Sequence, residues 1–331
     1  MRPVPPGLVA TAPPPVRDGV RLMVARARRP LRHRRFTDLP SALEPGDLLV
    51  VNTSDTEPAA LDGTHAGRPV VLHVSGPAAA DTWVVELRTP DGHRIIDGRA
   101  GETVRLPCGV GATLISGGPR IWRVRIAVEG GLRRYLAAAG RPITYSYLHG
   151  RPSLAEYRTV FARPDGRFGS AEMPSAGRPF TPAVLDGLRT RGVGVAELVL
   201  HTGVSSLEAG ETPLPERYRV PPATAEAVTA TRAAGHRVVA VGTTVTRALE
   251  TVAAPDGTVR AGEGTTELVL GPDRPARVVD GLVTGWHEPE ASHLLLLRAV
   301  AGRRLVERAY AAALDEGYRW HEFGDSCLLL P

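Results

Sequence analysis

A block of short, β-rich runs interrupts a chain that elsewhere alternates strand-like and helix-like segments. Between about Arg68 and Glu129 the runs are PVVLHVSG, TWVVELRT, ETVRLP and RIWRVRIAVEG, and Gly, Pro or Asp bounds each of them. Such runs are typical of a small antiparallel barrel or sandwich, and helical periodicity is almost absent here. The block therefore predicts a separate small β domain.

The flanking segments predict an α/β layer. Leu48–Val51 is an apolar run behind a Pro-Gly-Asp turn, which indicates a buried strand. The later predicted strands are VGVAELVLHTG, HRVVAVG, TELVL and ARVVDGLVT. The predicted helices are TPAVLDGLRTRG, TAEAVTATRAAG, TTVTRALET, SHLLLLRAVAG and RRLVERAYAAALDEG. Because strand and helix alternate, we expect parallel strands. We predict a barrel-like α/β domain of residues 1–64 and 146–331, with a small antiparallel β-barrel domain inserted at residues 65–145.

Apolar runs and cysteines limit the class of protein. The apolar run Leu294–Leu297 is far shorter than the ~20 residues of a membrane span, and the proline-rich first residues do not resemble a signal peptide. We therefore expect a cytoplasmic protein without membrane contact. Cys108 and Cys327 belong to no CxxC or Cys/His cluster, so we expect structural thiols and no metal site.

Positive charge is concentrated near the start of the chain. All 40 basic residues are arginine and the net charge is +5; eight arginines but a single acid lie between residues 17 and 35. Such a cluster can neutralise phosphates, and the candidate contacts are Arg17, Arg21, Arg34 and Arg35. A solvated, arginine-rich edge is the alternative. The sequence does not fix the oligomeric state, for which a monomer or weak dimer is expected.

The run VVAVGTTVTRALET predicts a ligand-binding corner between a strand and a helix. Gly242 permits a sharp turn, and the hydroxyl of Thr243 or Thr244 can cap the helix. The free N–H groups of the first turn suit a carboxylate, a phosphate or ribose hydroxyls, and Arg247 is placed to reach the same ligand. The alternative is an ordinary capped helix with an internal Arg247–Glu250 pair. The phosphate-loop pattern GxxxxGK[ST] is absent.

Two histidines are candidate acid–base groups. His287 lies in a polar turn between an apolar strand and a helix that Ser292 is placed to cap. Its ordinary pKa is close to neutrality, although a histidine beside a proline turn is often structural. His201 follows the strand LVL, and ligands of open α/β sheets lie at that edge.

Two loops add further candidates. The run MPSAGRPF places Ser175 and Gly177 before a helix, where the backbone either approaches a ligand or forms a plain connection. The run YRWHEFGDSCLLL offers His321, Glu322 and Asp325. Neither the spacing of a Ser/His/Asp triad nor the pattern GxSxG is present.

Eight motifs in the same order resemble one family. They are RDGVRLMV, HRRFTDLPSALEPGDLLVVN, EYRTVFA, MPSAGRPFT, LVLHTG, RVVAVGTTVTRALET, VVDGLVTGWHEPEASHLLLLRAVAG and YRWHEFGDSCLLL. Together they resemble the S-adenosylmethionine:tRNA ribosyltransferase-isomerases of queuosine biosynthesis along nearly the whole chain. The resemblance implies an α/β domain with an inserted β-barrel and a reaction without metal. In that reaction the ribosyl part of S-adenosylmethionine, a co-substrate, moves to an aminomethyl-deazaguanine in a tRNA anticodon and rearranges to an epoxy-cyclopentanediol; adenine and methionine leave.

The resemblance also implies where the site lies. We expect S-adenosylmethionine to bind at Gly242, Thr243, Thr244, Arg247, Ser175 and Gly177. We expect acid–base groups at His201, Glu216, His287 and Asp325.

Several positions depart from the family pattern. An Asp-Thr-Arg string and a later arginine are replaced by Thr53-Ser54-Asp55 and Thr56-Glu57-Pro58-Ala59-Ala60, and a Leu-His pair is Arg178-Pro179. A His-x-Glu segment keeps only Glu216, a glycine-rich string after His201 is lost, and TNFH reads TGWH. These losses suggest an altered acceptor site. The alternatives are a paralogue that uses S-adenosylmethionine with a small-molecule acceptor or without tRNA, and a non-catalytic RNA-binding protein.

Overall fold

The computed structural model describes residues 2–79, 81–118, 120–204, 214–288 and 293–331. Its strands are β1 (Arg21–Arg26), β2 (Arg32–Arg35), β3 (Leu48–Asn52), β4 (Ala60–His65), β5 (Arg68–Ala79), β6 (Thr82–Arg88), β7 (Thr103–Arg105), β8 (Gly111–Gly117), β9 (Ile121–Ile126), β10 (Gly194–Leu200), β11 (Glu216–Val220), β12 (Val238–Val241), β13 (Gly262–Thr266), β14 (Gly281–Gly285) and β15 (Ser326–Leu330). Its α-helices are α1 (Leu39–Ala42), α2 (Leu132–Ala139), α3 (Leu154–Tyr157), α4 (Pro182–Thr190), α5 (Pro222–Ala233), α6 (Thr243–Thr251), α7 (His293–Ala301) and α8 (Arg303–Asp315).

A nine-stranded mixed sheet forms the larger layer, in the order β13-β11-β10-β3-β12-β14-β15-β1-β2. The central strands β10, β3, β12 and β14 are parallel, and Val50 of β3 pairs with Ala196 on one side and Ala240 on the other. Strand β15 is antiparallel to β14 and parallel to β1. The carboxyl ends of the four central strands therefore meet at one edge of the sheet, where ligands of α/β proteins bind.

Helices cover both faces of this sheet because its central strands are apolar on both sides. Successive side chains of a strand point to opposite faces. Val50 and Ala240 pack against α5, α6, α7 and α8, whereas Leu49 and Val239 pack on the other face with α4. The buried strand predicted at Leu48–Val51 is confirmed.

The inserted β-rich block closes into a six-stranded antiparallel barrel in the order β4-β5-β6-β9-β8-β7. Its apolar interior is continuous with Leu132 and Leu136 of α2, which covers one side. The predicted α/β class with a small antiparallel barrel is confirmed. The barrel strands run from Ala60 to Ile126, and the domain boundaries at 64/65 and 145/146 stay a prediction.

Local signals predicted the helices well and two strands poorly. Helix α4 begins at Pro182 after the N-cap Thr181, whose Oγ1 accepts from the Val184 N–H, as predicted. The strands predicted at TELVL and ARVVDGLVT were wrong in part, because residues 267–270 and 276–280 pair with no strand. In the second stretch the backbone N–H groups of residues 277–279 donate instead to the buried Glu250 carboxylate. None of the described helices has the length and apolar character needed to cross a membrane.

Candidate active site

A cavity of about 520 Å³ opens at the edge where the parallel strands end. Strands β10, β12 and β14 deliver Thr202, Gly242 and Gly285 to it, and the turn before β15 delivers His321 and Glu322. Its volume lies within the roughly 300–1,000 Å³ of ordinary small-molecule sites. The cavity is thus the place where the predicted site residues can be compared.

The Gly-Thr-Thr corner forms part of the cavity wall. Gly242 has φ +90°, and a Cβ atom there would lie 3.2 Å from the Cβ of Ala176, so glycine suits this turn on two grounds. Gly242 is the N-cap of α6, and no side chain caps the helix. The prediction that Thr243 or Thr244 caps it was wrong, because the Oγ1 of Thr244 instead accepts a hydrogen bond from the Asn52 amide at 3.3 Å.

Arg247 lines the cavity and forms an ion pair with Glu216. Its Nε also donates to the Leu268 carbonyl at 3.2 Å, and the other oxygen of Glu216 accepts from the Gly203 N–H at 3.3 Å. The Glu216 side chain is buried and that of Arg247 is mostly covered, with 9% and 14% exposed, respectively. Burial raises the pKa of Glu216, and the charge of Arg247 opposes that rise.

The alternative pairing of Arg247 with Glu250 does not form. Glu250 is buried and binds Arg274, at 3.3 Å, together with backbone N–H groups of the loop before β14. Arg247 is therefore directed across α6 toward β11 and the cavity, and it is not a partner of its own helix.

His287 lines the cavity beside a second histidine that the sequence analysis did not single out. The rings of His287 and His293 stack with centroids 4.4 Å apart and planes 2° apart. The Nε2 of His287 lies 3.3 Å from the Oγ1 of Thr284. Burial lowers the pKa of His287 well below its usual range and that of His293 to about 4, so both rings are neutral at pH 7. Ser292, the predicted cap of α7, lies outside the described residues.

His201 follows β10 but does not line the cavity. Its Nδ1 lies 2.8 Å from the Oγ of Ser54, which in turn contacts the Oγ of Ser170 at 2.7 Å. Burial, with a smaller effect from the charge of Arg217, lowers the pKa of His201 to about 4. This neutral imidazole belongs to a hydrogen-bond chain behind the wall.

Asp325 and Gly177 also lie away from the main cavity. The Asp325 carboxylate accepts the backbone N–H groups of Arg21 and Arg319, both at 2.7 Å, and thus fixes the turn that carries His321 and Glu322. Burial raises the pKa of Asp325. Gly177 packs beside the ring of Phe161, whereas Ser175 from the same turn lines the cavity.

Sequence analysis singled out His321 and Glu322 but missed the tyrosine rings and the Glu172 carboxyl with which they form one wall of the cavity. The rings of Tyr145 and Tyr147 stack with centroids 5.6 Å apart, and His321 stacks on Tyr147 at 4.5 Å. The Tyr147 hydroxyl donates to Glu322, and the Tyr145 hydroxyl interacts with Glu172. Burial raises the pKa of Glu322 to about 7. No local motif joins these residues, because they come from three distant segments.

The four candidate phosphate contacts divide into two pairs. The guanidinium of Arg17 donates to the carbonyls of Ala155, at 3.0 Å, and Arg158, at 2.8 Å, and that of Arg21 lies 3.9 Å above the ring of Tyr318. Both therefore stabilise the fold. Arg34 and Arg35 are exposed on the edge strand β2. That strand is four positions from β12, about 19 Å at ordinary strand spacing.

No group of three His, Cys, Asp or Glu side chains suited to a metal ion occurs in the described ranges. Cys108 is exposed and Cys327 is buried, and both are free thiols. The absence of a metal from the reaction stays a prediction.

A sequence profile described as "Queuosine biosynthesis protein" matches residues 3–329. The chain belongs to this family. The S-adenosylmethionine:tRNA ribosyltransferase-isomerase of Moorella thermoacetica is 39% identical over 342 residues, which cover 99% of this chain and 97% of that relative. The corresponding enzyme of Symbiobacterium thermophilum is 37% identical, with the same coverage of 99% and 97%.

A solved structure supports the same assignment. The crystal structure of the S-adenosylmethionine tRNA ribosyltransferase from Thermotoga maritima matches with a TM-score of 0.55 and 30% identity, covering 99% of each chain. The resemblance seen in the motifs is thereby confirmed. The chain is an enzyme of queuosine biosynthesis, in the transferase and isomerase classes, and its family acts in tRNA modification.

Positions where the chain departs from the family pattern carry ion pairs of their own. Asp55 accepts from Arg158 at 2.9 Å, and Glu57 accepts from Arg133 at 3.1 Å. Arg178 is 2% exposed and donates to the Glu156 carboxylate at 2.7 Å. Of the other departures, Trp286 is buried in the core beside α8, and residues 205–213 after His201 lie outside the described residues. Asp55, Glu57 and Arg178 therefore each have a charged partner within this chain.

Proposed function

We propose that this enzyme transfers the ribosyl part of S-adenosylmethionine to 7-aminomethyl-7-deazaguanine in a tRNA and isomerises it, releasing adenine and methionine. One observation carries the proposal: the cavity at the ends of the parallel strands gathers most of the residues expected at the site. They are Ser175, Glu216, Gly242, Thr243, Thr244, Arg247 and His287. The names of the relatives, which specify this donor and tRNA, support the substrate pair.

The Gly242 corner is proposed to hold the donor. The first N–H groups of a helix have no partner within it, so those of α6 can bind ribose hydroxyls or the carboxylate of the donor. Arg247 then acts mainly through Glu216, since this ion pair fixes both side chains at the cavity. We expect Arg247→Ala to weaken donor binding sharply in calorimetry; an unchanged affinity would contradict this role.

His287 is the proposed general base. A sulfonium acidifies the neighbouring C5′ hydrogens, so a neutral imidazole can take one of these protons. The lowered pKa of His287 keeps the ring neutral and able to accept a proton at pH 7. The proton is then available to the departing adenine, which must be protonated as it leaves. His201 and Asp325 lie behind the cavity wall. We propose that they hold the residues of that wall in place and do not contact the substrate.

The tRNA is proposed to contact Arg34 and Arg35 on the exposed edge strand. Guanidinium groups on an edge can pair with phosphates without disturbing the sheet. Because the proposed substrate is a tRNA, we also propose that the enzyme acts in the cytoplasm. We also propose that the barrel domain, predicted as residues 65–145, is a separate unit inserted between residues 1–64 and 146–331; its first strand, β4, begins at Ala60, five residues before that boundary.

Adenine release tests the proposal. The enzyme is incubated with S-adenosylmethionine alone and then with tRNA that carries the deazaguanine base, and free adenine is measured by chromatography. We expect release only with that tRNA. Release without it would support a paralogue with another acceptor, and RNA binding without release would support a non-catalytic protein; either result contradicts the proposal.

A matched pair of histidine variants tests the base. His287→Gln is expected to retain donor binding and to lose most turnover, because glutamine cannot accept the proton. His236→Gln is the control, since His236 is exposed before the opposite end of β12. Equal turnover in the two variants would exclude His287 as the base.

A further inference from the structure

The described residues that line the cavity carry more negative than positive charge. Four carboxyl groups, those of Glu172, Glu216, Glu288 and Glu322, face it together with the single guanidinium of Arg247. That guanidinium is already paired with Glu216. The lining histidines add no positive charge at neutral pH, because burial lowers the pKa of each. A cavity of this kind favours a cationic ligand.

Two of these carboxyl groups lie in one wall of the cavity, where each is paired with a tyrosine and the two pairs lie side by side. The stacked rings of Tyr145 and Tyr147 hold their hydroxyls toward Glu172 and Glu322, respectively. Burial raises the pKa of Glu322, and the nearby charge of Glu172 raises it further, so ionising Glu322 is costly. A ligand cation placed between them would remove that cost.

A buried hydroxyl in the same cavity provides independent evidence for a ligand. Tyr157 is 3% exposed and lines the cavity, yet its hydroxyl makes no hydrogen bond of normal geometry to any described residue. The Thr144 side chain lies near enough to interact with it. Buried hydroxyls are normally satisfied, and an orphaned one at a cavity wall indicates a bound group. Its oxygen is an acceptor, which suits a ligand that donates hydrogen bonds.

We propose that Glu172 and Glu322, with the hydroxyl of Tyr157, form a subsite that binds the ammonium group of a substrate. An ammonium has three donors and one positive charge, which match two carboxylates and one hydroxyl oxygen. The source of the ammonium rests on the proposed function, which supplies two: the amino-acid end of S-adenosylmethionine and the aminomethyl group of the deazaguanine.

Paired ligands distinguish the two sources. In the donor arm, affinity is measured by calorimetry for S-adenosylmethionine and for its deaminated 2-oxo analogue. In the acceptor arm, it is measured for an anticodon stem-loop with aminomethyl-deazaguanine and for one with cyano-deazaguanine. The two ligands of each pair differ only where one of them carries an ammonium group. The ratio of their affinities therefore measures binding at the ammonium subsite.

Glu322→Gln is expected to reduce one of these preferences by about 10- to 100-fold, the range for a lost charged hydrogen bond. Glu226→Gln, at an exposed position of α5, is the control and should change neither. The wild-type preference should rise with pH through about 7, where Glu322 ionises, and this dependence should vanish in Glu322→Gln. If the wild type shows neither preference, or Glu322→Gln keeps both, the proposal is wrong.

Tyr157→Phe serves as a second variant should Glu322→Gln fold poorly. Because the hydroxyl makes no hydrogen bond of normal geometry within the described part of the chain, its removal is expected to leave the midpoint of thermal unfolding nearly unchanged or higher while reducing the same preference. An unchanged preference in a folded Tyr157→Phe would overturn the proposal. These readouts need no turnover, so failure of adenine release would refute the proposed function and leave the subsite standing.

Discussion

Replacing Arg247 by methionine tests the ion pair that joins α6 to β11. Methionine keeps an apolar side chain of similar reach and removes the guanidinium. The variant leaves Glu216 buried, with the Gly203 N–H at 3.3 Å as its remaining hydrogen-bond donor among the described residues. Removing one partner of a buried ion pair costs about 3–5 kcal/mol, because the other charge stays uncompensated. The low exposure of both side chains, 14% and 9%, justifies that range.

The expected loss is measurable as a temperature. For 331 residues, an unfolding entropy of about 2.1 cal/mol/K per residue gives about 0.7 kcal/mol/K, so the midpoint should fall by about 4–7 °C. The loss should also depend on pH. The pKa of Glu216 is raised above 4.5 in the folded protein, and loss of Arg247 raises it further. Such a carboxyl destabilises the fold as pH rises above 4.5, until its folded pKa is passed.

The loss of unfolding free energy in Arg247→Met, relative to wild type, is therefore largest at neutral pH and becomes smaller as pH falls toward 4.5. Urea denaturation followed by circular dichroism at pH 7.5 and pH 5 measures it. The double variant Arg247→Met/Glu216→Gln removes both charges and should recover part of the stability. An equal deficit at both pH values, or a double variant no more stable than the single one, would refute this reasoning.

Three further outcomes are expected. Gly242→Ala should lower the free energy of unfolding by about 1–3 kcal/mol and weaken donor binding, because the new Cβ would contact a neighbouring methyl group at a positive φ. Gly235→Ala is the control: Gly235 also has a positive φ, +76°, but lies in open space, so this variant should keep donor affinity in calorimetry. Glu86→Gln should lower the free energy of unfolding by about 3 kcal/mol at pH 7. Burial opposes ionisation, but His and Arg partners hold the Glu86 pKa at about 2, so wild type loses this stabilisation as pH falls from 4.5 through 2. Urea titrations should therefore show a smaller difference between wild type and variant at pH 3 than at pH 7. Replacing Arg34 and Arg35 by alanine should reduce the salt slope of tRNA binding by about 2 in filter binding; an unchanged slope would exclude this contact.

Local patterns predicted the parts of the fold that depend on local physics. Thr181 and Pro182 start a helix because capping and a fixed φ act within one turn. The buried β3 and the β-rich barrel block were likewise recognisable from runs of apolar residues. The strand predicted at residues 276–280 does not form, because the Glu250 carboxylate, on a preceding helix, accepts hydrogen bonds from backbone N–H groups of this segment. A single distant carboxylate thus outweighed the local β-propensity.

The site was only partly predictable for a similar reason. The Gly242 corner combines strand, turn and helix in one run, so the sequence alone indicated it. Glu172, Tyr147 and Glu322 come together only through the fold, and no spacing along the chain signals them. Arg17 was grouped with Arg34 and Arg35 because of its charge alone. Charge does not show that the Arg17 guanidinium donates to backbone carbonyls.

The place of β15 in the sheet has a consequence for synthesis of the chain. This strand lies between β14 and β1 and pairs with both, so β1 and β2 have no link to the rest of the sheet until residues 326–330 leave the ribosome. The barrel, by contrast, uses strands that are consecutive between residues 60 and 126 and can close early. We therefore expect nascent chains to complete the barrel before the sheet, whose two pieces are joined only when β15 becomes available for pairing.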